Sequence, residues 1–200
     1  MSQPELQSLP KFEEEYIAKL PALTLMTNMG WHFLSPQQAM DARDGKPDQV
    51  VLRGELRRVL ETRRFHYAGK EHPLSEKSIE NIISEVCSPA LNEGLMQANQ
   101  RMHNHLVYGI TVTEFVDGRK TSQTIELVDW NNIASNRFLV TEEFRVTRTA
   151  GIGSSHQDYR KPDIVGFVNG IPMVVIEAKR PIRQGKKGPT LEEGTFPKPA

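Results

Sequence analysis

Residues 160–181, "RKPDIVGFVNGIPMVVIEAKRP", constrain the fold more tightly than any other part of the chain. Two apolar runs, "IVGFV" and "IPMVVI", flank Asn169 and Gly170, and Asn-Gly between apolar segments is the strongest short-range hairpin signal. Both alternating faces of each run are apolar, the pattern of strands covered by helices on either side. Asp163, Glu177 and Lys179 nevertheless stand at the ends of these runs. Burying a carboxylate there is costly unless a cation or a proton compensates.

A counter-charge is therefore expected. Two carboxylates brought together raise each other's pKa, and a hard divalent cation with oxygen ligands, Mg²⁺ or Mn²⁺, relieves the conflict. Lys179 follows Glu177 by two positions, so strand alternation places both on one face. A lysine beside such an ion can hold or deprotonate a water and steady negative charge on phosphorus, which suits phosphodiester hydrolysis. Register decides whether Asp163 joins them. A simple two-residue turn at Asn169-Gly170 with regular pairing sets Asp163 opposite Ile176 and sends Glu177 to the other face. A three-residue connection, Val168 to Gly170, pairs Phe167 with Ile171 and Asp163 with Val175. That odd-length connection, or an equivalent bulge, is predicted.

The rest of the chain narrows the class. Two hundred residues with 38% apolar content suffice for a real core. Lys plus Arg and Asp plus Glu both total 25, so net charge announces no polyanionic partner and any nucleic-acid contact is local. The single cysteine, Cys87, excludes an internal disulfide framework or a Cys-rich zinc site and reads as a small buried apolar group. The polar, acidic N-terminus is not a signal peptide and no apolar run approaches spanning length. A soluble, cytoplasmic protein without a membrane partner is expected.

Residues 1–11 read as a flexible tail. Helical spacing follows at Phe12, Tyr16, Leu20, Leu23 and Met26, with Pro21 kinking or splitting the helix. Further helices are predicted over "SPQQAMDAR", capped by Ser35, over "DQVVLRGELRRVLETRRF", and from Ser75 to Pro89. From about residue 104 the chain turns to β-branched and aromatic residues. "HLVYGITVTEF" and "TSQTIELVDW" form a hairpin about Asp117-Gly118, and "RFLVTEEFRVTRT" a third strand. "AGIGSSHQDYRK" is a mobile loop, and residues 184–200 a flexible tail or the start of a linker. The reading is an α/β domain over 12–183: a helical part at 12–103, then a mixed, mostly antiparallel sheet at 104–183, flanked by helices.

"PD" at 162–163 and "EAK" at 177–179 match the PD-(D/E)xK nuclease motif. Together with "FEEEYIAKLPALTLMTNMGW", "VDWNNIASNRFLVTEEFRVTRT" and "KPDIVGFVNGIPMVVIEAKRP", they resemble the N-terminal nuclease region of the restriction (R) subunit of type I restriction enzymes, over roughly residues 12–183. The resemblance implies a restriction-endonuclease-like core and Mg²⁺-dependent cleavage of double-stranded DNA. It also implies a complex with modification and specificity subunits. Asp163 and Glu177 would be metal ligands, Lys179 the catalytic lysine, and the Ala178 backbone carbonyl a further ligand. Glu14 or Glu15, adjoining Glu13, could supply the first-helix carboxylate of the wider fold, or simply form a solvated acidic turn. No GxxxxGK[ST] loop occurs here, so ATP belongs to the motor domains of a full-length subunit. A Gln-xxx-Tyr element that relatives carry beyond the lysine strand is not found before Ala200.

His156, Tyr159, Arg160 and Lys161 precede Asp163 and could reach a DNA backbone. Arg53, Arg57 and Arg64 read as a charged solvent face rather than a phosphate track, and Trp31 and Trp130 as packing residues. Lys186 and Lys187 contact phosphate or solubilise a tail. The alternatives are a stand-alone nuclease of the same fold, such as a repair exonuclease or junction resolvase, and a non-catalytic docking domain.

Overall fold

A small mixed sheet, apolar on both faces, organises the α/β architecture seen in the computed structural model, which describes residues 18–88, 94–147 and 159–178. Its strands run in the order β1 (His32–Leu34), β6 (Phe138–Glu142), β9 (Ile164–Val168) and β10 (Ile171–Ile176). β1 lies parallel to β6, while the β6–β9 and β9–β10 pairs are antiparallel. Strand alternation divides the apolar residues between two covers. On one face Val140 and Ile164 pack against Leu23 and Met26 of α1 (Leu20–Asn28), with Trp31 and Ile176 at the margin. On the other, Leu139, Val165 and Phe167 meet Ala39 of α2 (Pro36–Asp41), Leu52 and Phe144. Gly166 stands where a Cβ would come within 2.7 Å of the Trp31 ring, so the central strand admits α1 and its following turn closely.

A larger cluster joins α3 (Arg53–Thr62), α4 (Glu76–Cys87) and a separate hairpin, β4 (Ile110–Val116) with β5 (Arg119–Ile125). Leu56, Leu60, Ile82, Ile83, Ile110 and Ile125 are its centre, and each such side chain removed from water contributes about 1.5–3 kcal/mol. Ile171 at the start of β10 also belongs to this cluster and ties it to the sheet. Ser35 caps α2 through a full capping box, and the Ser75 hydroxyl accepts from Ser78 N at the head of α4, as their positions before apolar periodic runs predict.

Several expectations are corrected. The helical half also contains β1 and a hairpin, β2 (Arg64–Tyr67) with β3 (Lys70–Pro73), so Arg64 lies on a strand rather than on the helix of Arg53 and Arg57. α3 is shorter than its apolar stripe, because Val51 and Leu52 are buried by the chain entering the helix. Pro21 lies at the start of α1, directly after a π-helical stretch at residues 18–19, and the part of the predicted helix before residue 18, with Phe12 and Tyr16, lies outside the described residues. The "HLVY" segment is helical: α5 (Leu95–Tyr108) continues past residue 104 because Met102 and Leu106 keep helical spacing against the core. β4 and β5 pair only with each other among the described residues, not with the four-stranded sheet. The expected third strand breaks at Glu143 into β6 and β7 (Val146–Thr147), the latter pairing with β8 (Tyr159–Arg160). The predicted tails and most of the Gly- and Ser-rich loop lie outside the described residues. Among the described residues no helix is long and apolar enough to cross a membrane.

Candidate active site

The β9–β10 hairpin turns on Asn169 and Gly170, with φ of 53° and 83°. Positive φ at both central residues is the type I′ pattern that matches strand twist. Two constraints fix it. Asn169 is fully buried: its Oδ1 accepts from Arg137 N at 2.8 Å, and its Nδ2 donates to Leu127 O and Asn136 Oδ1, each at 2.8 Å. A Cβ at Gly170 would fall 2.6 Å from Leu52 O, and the Gly170 carbonyl accepts from Leu52 N at 2.8 Å.

The three-residue connection is therefore corrected. Val168 pairs with Ile171 and Phe167 with Pro172; the ladder then slips by one, pairing Val174 with Gly166, Val175 with Val165 and Ile176 with Ile164. Met173 is the additional residue, an instance of the equivalent bulge. Pro172, lacking an N–H, suits an irregular position on an edge strand. The satisfied, buried turn leaves no room for a third loop residue, so the extra one is absorbed within β10.

One step beyond the Ile164–Ile176 pair stand Asp163 and Glu177. Alternation carried past each strand end puts both on the Val165–Val175 side. The Asp163 carboxylate is half-buried and its Oδ2 accepts from Ala178 N at 2.7 Å, binding the end of one strand to the start of the other. Ala178 is buried and Glu177 exposed. These groups offer two carboxylates and a backbone carbonyl, all hard oxygen donors of the kind Mg²⁺ takes. Among the described residues no group of three or more His, Cys, Asp or Glu is placed to hold a metal ion. Lys179, Glu14, Glu15 and His156 lie outside the described residues.

Of the proposed DNA contacts, Tyr159 and Arg160 are exposed on β8, and the Arg145 guanidinium lies 4.3 Å from the Tyr159 ring centre. Lys161 donates to Glu143 at 2.9 Å. Arg53 and Arg57 clasp α4 instead of lining a solvent face: Arg53 reaches Glu80 at 2.8 Å, and Arg57 pairs with Glu76 at 2.6 Å and also with Glu80. Trp31 packs on Phe138, whereas Trp130 stays half-exposed and donates to Leu106 O at 2.8 Å.

Sequence reasoning missed the charge cluster behind Asp163. Lys19, only 5% exposed, lies 3.0 Å from Glu142 and 3.3 Å from Glu143. Burial pulls its pKa down, but hydrogen bonds and charge from Glu142 and Glu143 outweigh this and hold it above the ordinary lysine value. The Lys161 hydrogen bond, seconded by Lys19, depresses the Glu143 carboxyl below its usual range. The doubled acid in "VTEEF" at the close of an apolar run was the available signal. Its partner Lys19 lies 124 positions away and gave none.

The family model for the type I restriction enzyme R protein N terminus matches residues 11–194, nearly the whole chain. The chain belongs to that family. Similar curated proteins include the type I restriction enzyme HindI endonuclease subunit of Haemophilus influenzae, 26% identical over 164 residues, covering 81% of this chain and 14% of that protein. Two from Methanocaldococcus jannaschii are the putative type I restriction enzyme endonuclease subunits MjaIXP and MjaVIIIP. The first is 23% identical over 179 residues, 86% of this chain and 16% of its own length. The second is 26% identical over 158 residues, 78% of this chain and 13% of its own. The chain thus spans about a seventh of the length of these endonuclease-subunit relatives.

Proposed function

We propose that this chain is the DNA-cleaving module of a type I restriction enzyme R subunit, built on a restriction-endonuclease-like core and hydrolysing phosphodiester bonds with Mg²⁺ or Mn²⁺. The observation that carries the reading is the bulged register, from which strand alternation assigns Asp163 and Glu177 to one side of adjacent strands. Family membership and the names of the relatives support it.

In this reading Asp163, Glu177 and the Ala178 carbonyl hold the ion, joined by Glu14 or Glu15. The bound ion would lower the pKa of a water and draw charge from the phosphoryl oxygens. Asp163 serves in two ways, with one oxygen keeping the Ala178 N–H and the other binding the ion. Lys179 orients the attacking water and steadies charge developing on phosphorus. Tyr159, Arg160, Lys161 and His156 line the approach of the DNA backbone, a contact that weakens with salt. Double-stranded DNA is the substrate. ATP and translocation belong to motor domains of the same subunit, and site choice to the modification and specificity subunits.

The test is cleavage of supercoiled DNA by the assembled complex with Mg²⁺ and ATP. Asp163→Ala should lower the rate by at least about 100-fold, since even groups that merely support a metal ligand cost 10–100-fold. Undiminished cutting by the variant rejects the assignment.

A further inference from the structure

The break in the strand at Glu143 lies directly against the residue that bears the candidate site. Glu143 takes φ of 50°, a left-handed conformation that a residue with a Cβ adopts only when its surroundings hold it there. Three contacts do so. Glu143 N donates to Asp163 O at 2.9 Å, Phe144 N to Pro162 O at 3.2 Å, and Lys161 Nζ to the Glu143 carboxylate at 2.9 Å. Residues 143–144 are thereby stapled to residues 161–163. Behind them, Lys19 at the head of α1 is buried and bridges Glu142 and Glu143 together. A buried ammonium does not leave its carboxylates cheaply, so this ion cluster fixes the staple from the opposite side of the sheet.

We propose that Lys19, acting through Glu142 and Glu143, is a positioning residue for the Asp163 carboxylate. The cluster holds the main chain of Asp163 at the height where its Oδ2 meets Ala178 N, and so sets the geometry that α1 imposes on the site. Its functional meaning rests on the reading of Asp163 as a metal ligand, but the mechanical claim does not need an ion.

Amide hydrogen exchange of the full 200-residue chain, without metal, reads the claim directly. Lys19→Met should speed exchange of the Ala178 and Glu143 amides by at least about tenfold while leaving mid-hairpin amides such as Val165 protected. Lys19→Arg, which keeps the cation, should restore most of the protection. Where Lys19→Met does not fold, Glu142→Gln, which keeps shape and removes the charge facing Lys19 while leaving the Lys161–Glu143 pair intact, carries the same comparison. A merely structural lysine would lower the unfolding midpoint and speed all hairpin amides alike; that result, or unchanged Ala178 exchange in a folded variant, overturns the proposal. Titration with Mn²⁺ alone separates the two ideas. Binding by the wild type that is lost in Asp163→Ala and weakened about tenfold in Lys19→Met supports both. Ala178 deprotection in a chain that binds no Mn²⁺ upholds the positioning role and defeats the metal reading. Measurable Mn²⁺ binding of equal affinity in wild type and Lys19→Met, with Ala178 exchange unchanged, defeats the positioning role alone.

Discussion

Two hairpins in this protein turn on the same chemistry and end up under opposite constraints. The β4–β5 hairpin closes through Asp117 and Gly118, at φ of 51° and 75°, and the β9–β10 hairpin through Asn169 and Gly170, at 53° and 83°. In the first, every pair from Val116–Arg119 to Ile110–Ile125 is in register, and a Cβ at Gly118 would meet nothing within 4 Å. Only its strand residues are committed, through one face packed on α3 and α4 that is apolar except for buried Glu114, which accepts from Ser75 N at 3.0 Å. The second has its turn inside the protein, its ladder bulged and its far end tied by a carboxylate. A local signal predicts that a turn forms; tertiary contacts decide what the turn must carry.

That contrast is open to measurement. Asn169→Ala should cost about 4 kcal/mol in urea unfolding, because the Arg137 N–H, the Leu127 carbonyl and Asn136 Oδ1 lose a buried partner at about 1–3 kcal/mol each. Asp117→Ala, at an exposed turn, should cost under about 1 kcal/mol. Equal losses in the two variants would erase the distinction between the hairpins. Gly170→Ala should follow at about 3 kcal/mol, combining left-handed strain with the clash against Leu52 O. Gly118→Ala isolates the strain alone, at about 1 kcal/mol, so the difference between the glycine variants reads the packing of the buried turn. The smallest expected effect lies away from both hairpins. Burial raises the Cys87 thiol above its ordinary 9.0. Less thiolate is present at any pH below that value, and iodoacetamide labelling at pH 8 should run slower than for a free cysteine and rise only in more alkaline buffer.

The same contrast explains what could be read from the sequence. Ser35, Ser75, Asp117-Gly118 and Asn169-Gly170 act within a few residues of themselves, and each marks an element that the structure contains. The need for an irregular register was legible too, since one face for Asp163 and Glu177 allows only certain pairings, and the ladder does shift between Pro172 and Val174. Where the extra residue would go was not legible, because the choice between a longer loop and a bulge at Met173 depends on Leu52 and Asn136 packing around the turn. β1 was invisible for a related reason: three residues of strand, held by parallel pairing to β6 more than a hundred positions later, leave no periodic trace. The Ala68-Gly69 turn of β2–β3, with φ of 50° and 76°, leaves no legible signal because "RFHYAGKEHP" is too short and too polar to read as strands. Lys19 and its two glutamates meet only through the fold.

The bulge at Met173 has one more effect, on how molecules of this protein meet each other. Among the described residues β10 is the outermost strand of its sheet, and such rims recruit strands from neighbouring copies. A proline without an N–H beside a locally twisted rim spoils that template, leaving the acidic tip at Asp163 and Glu177 free of a neighbour's strand.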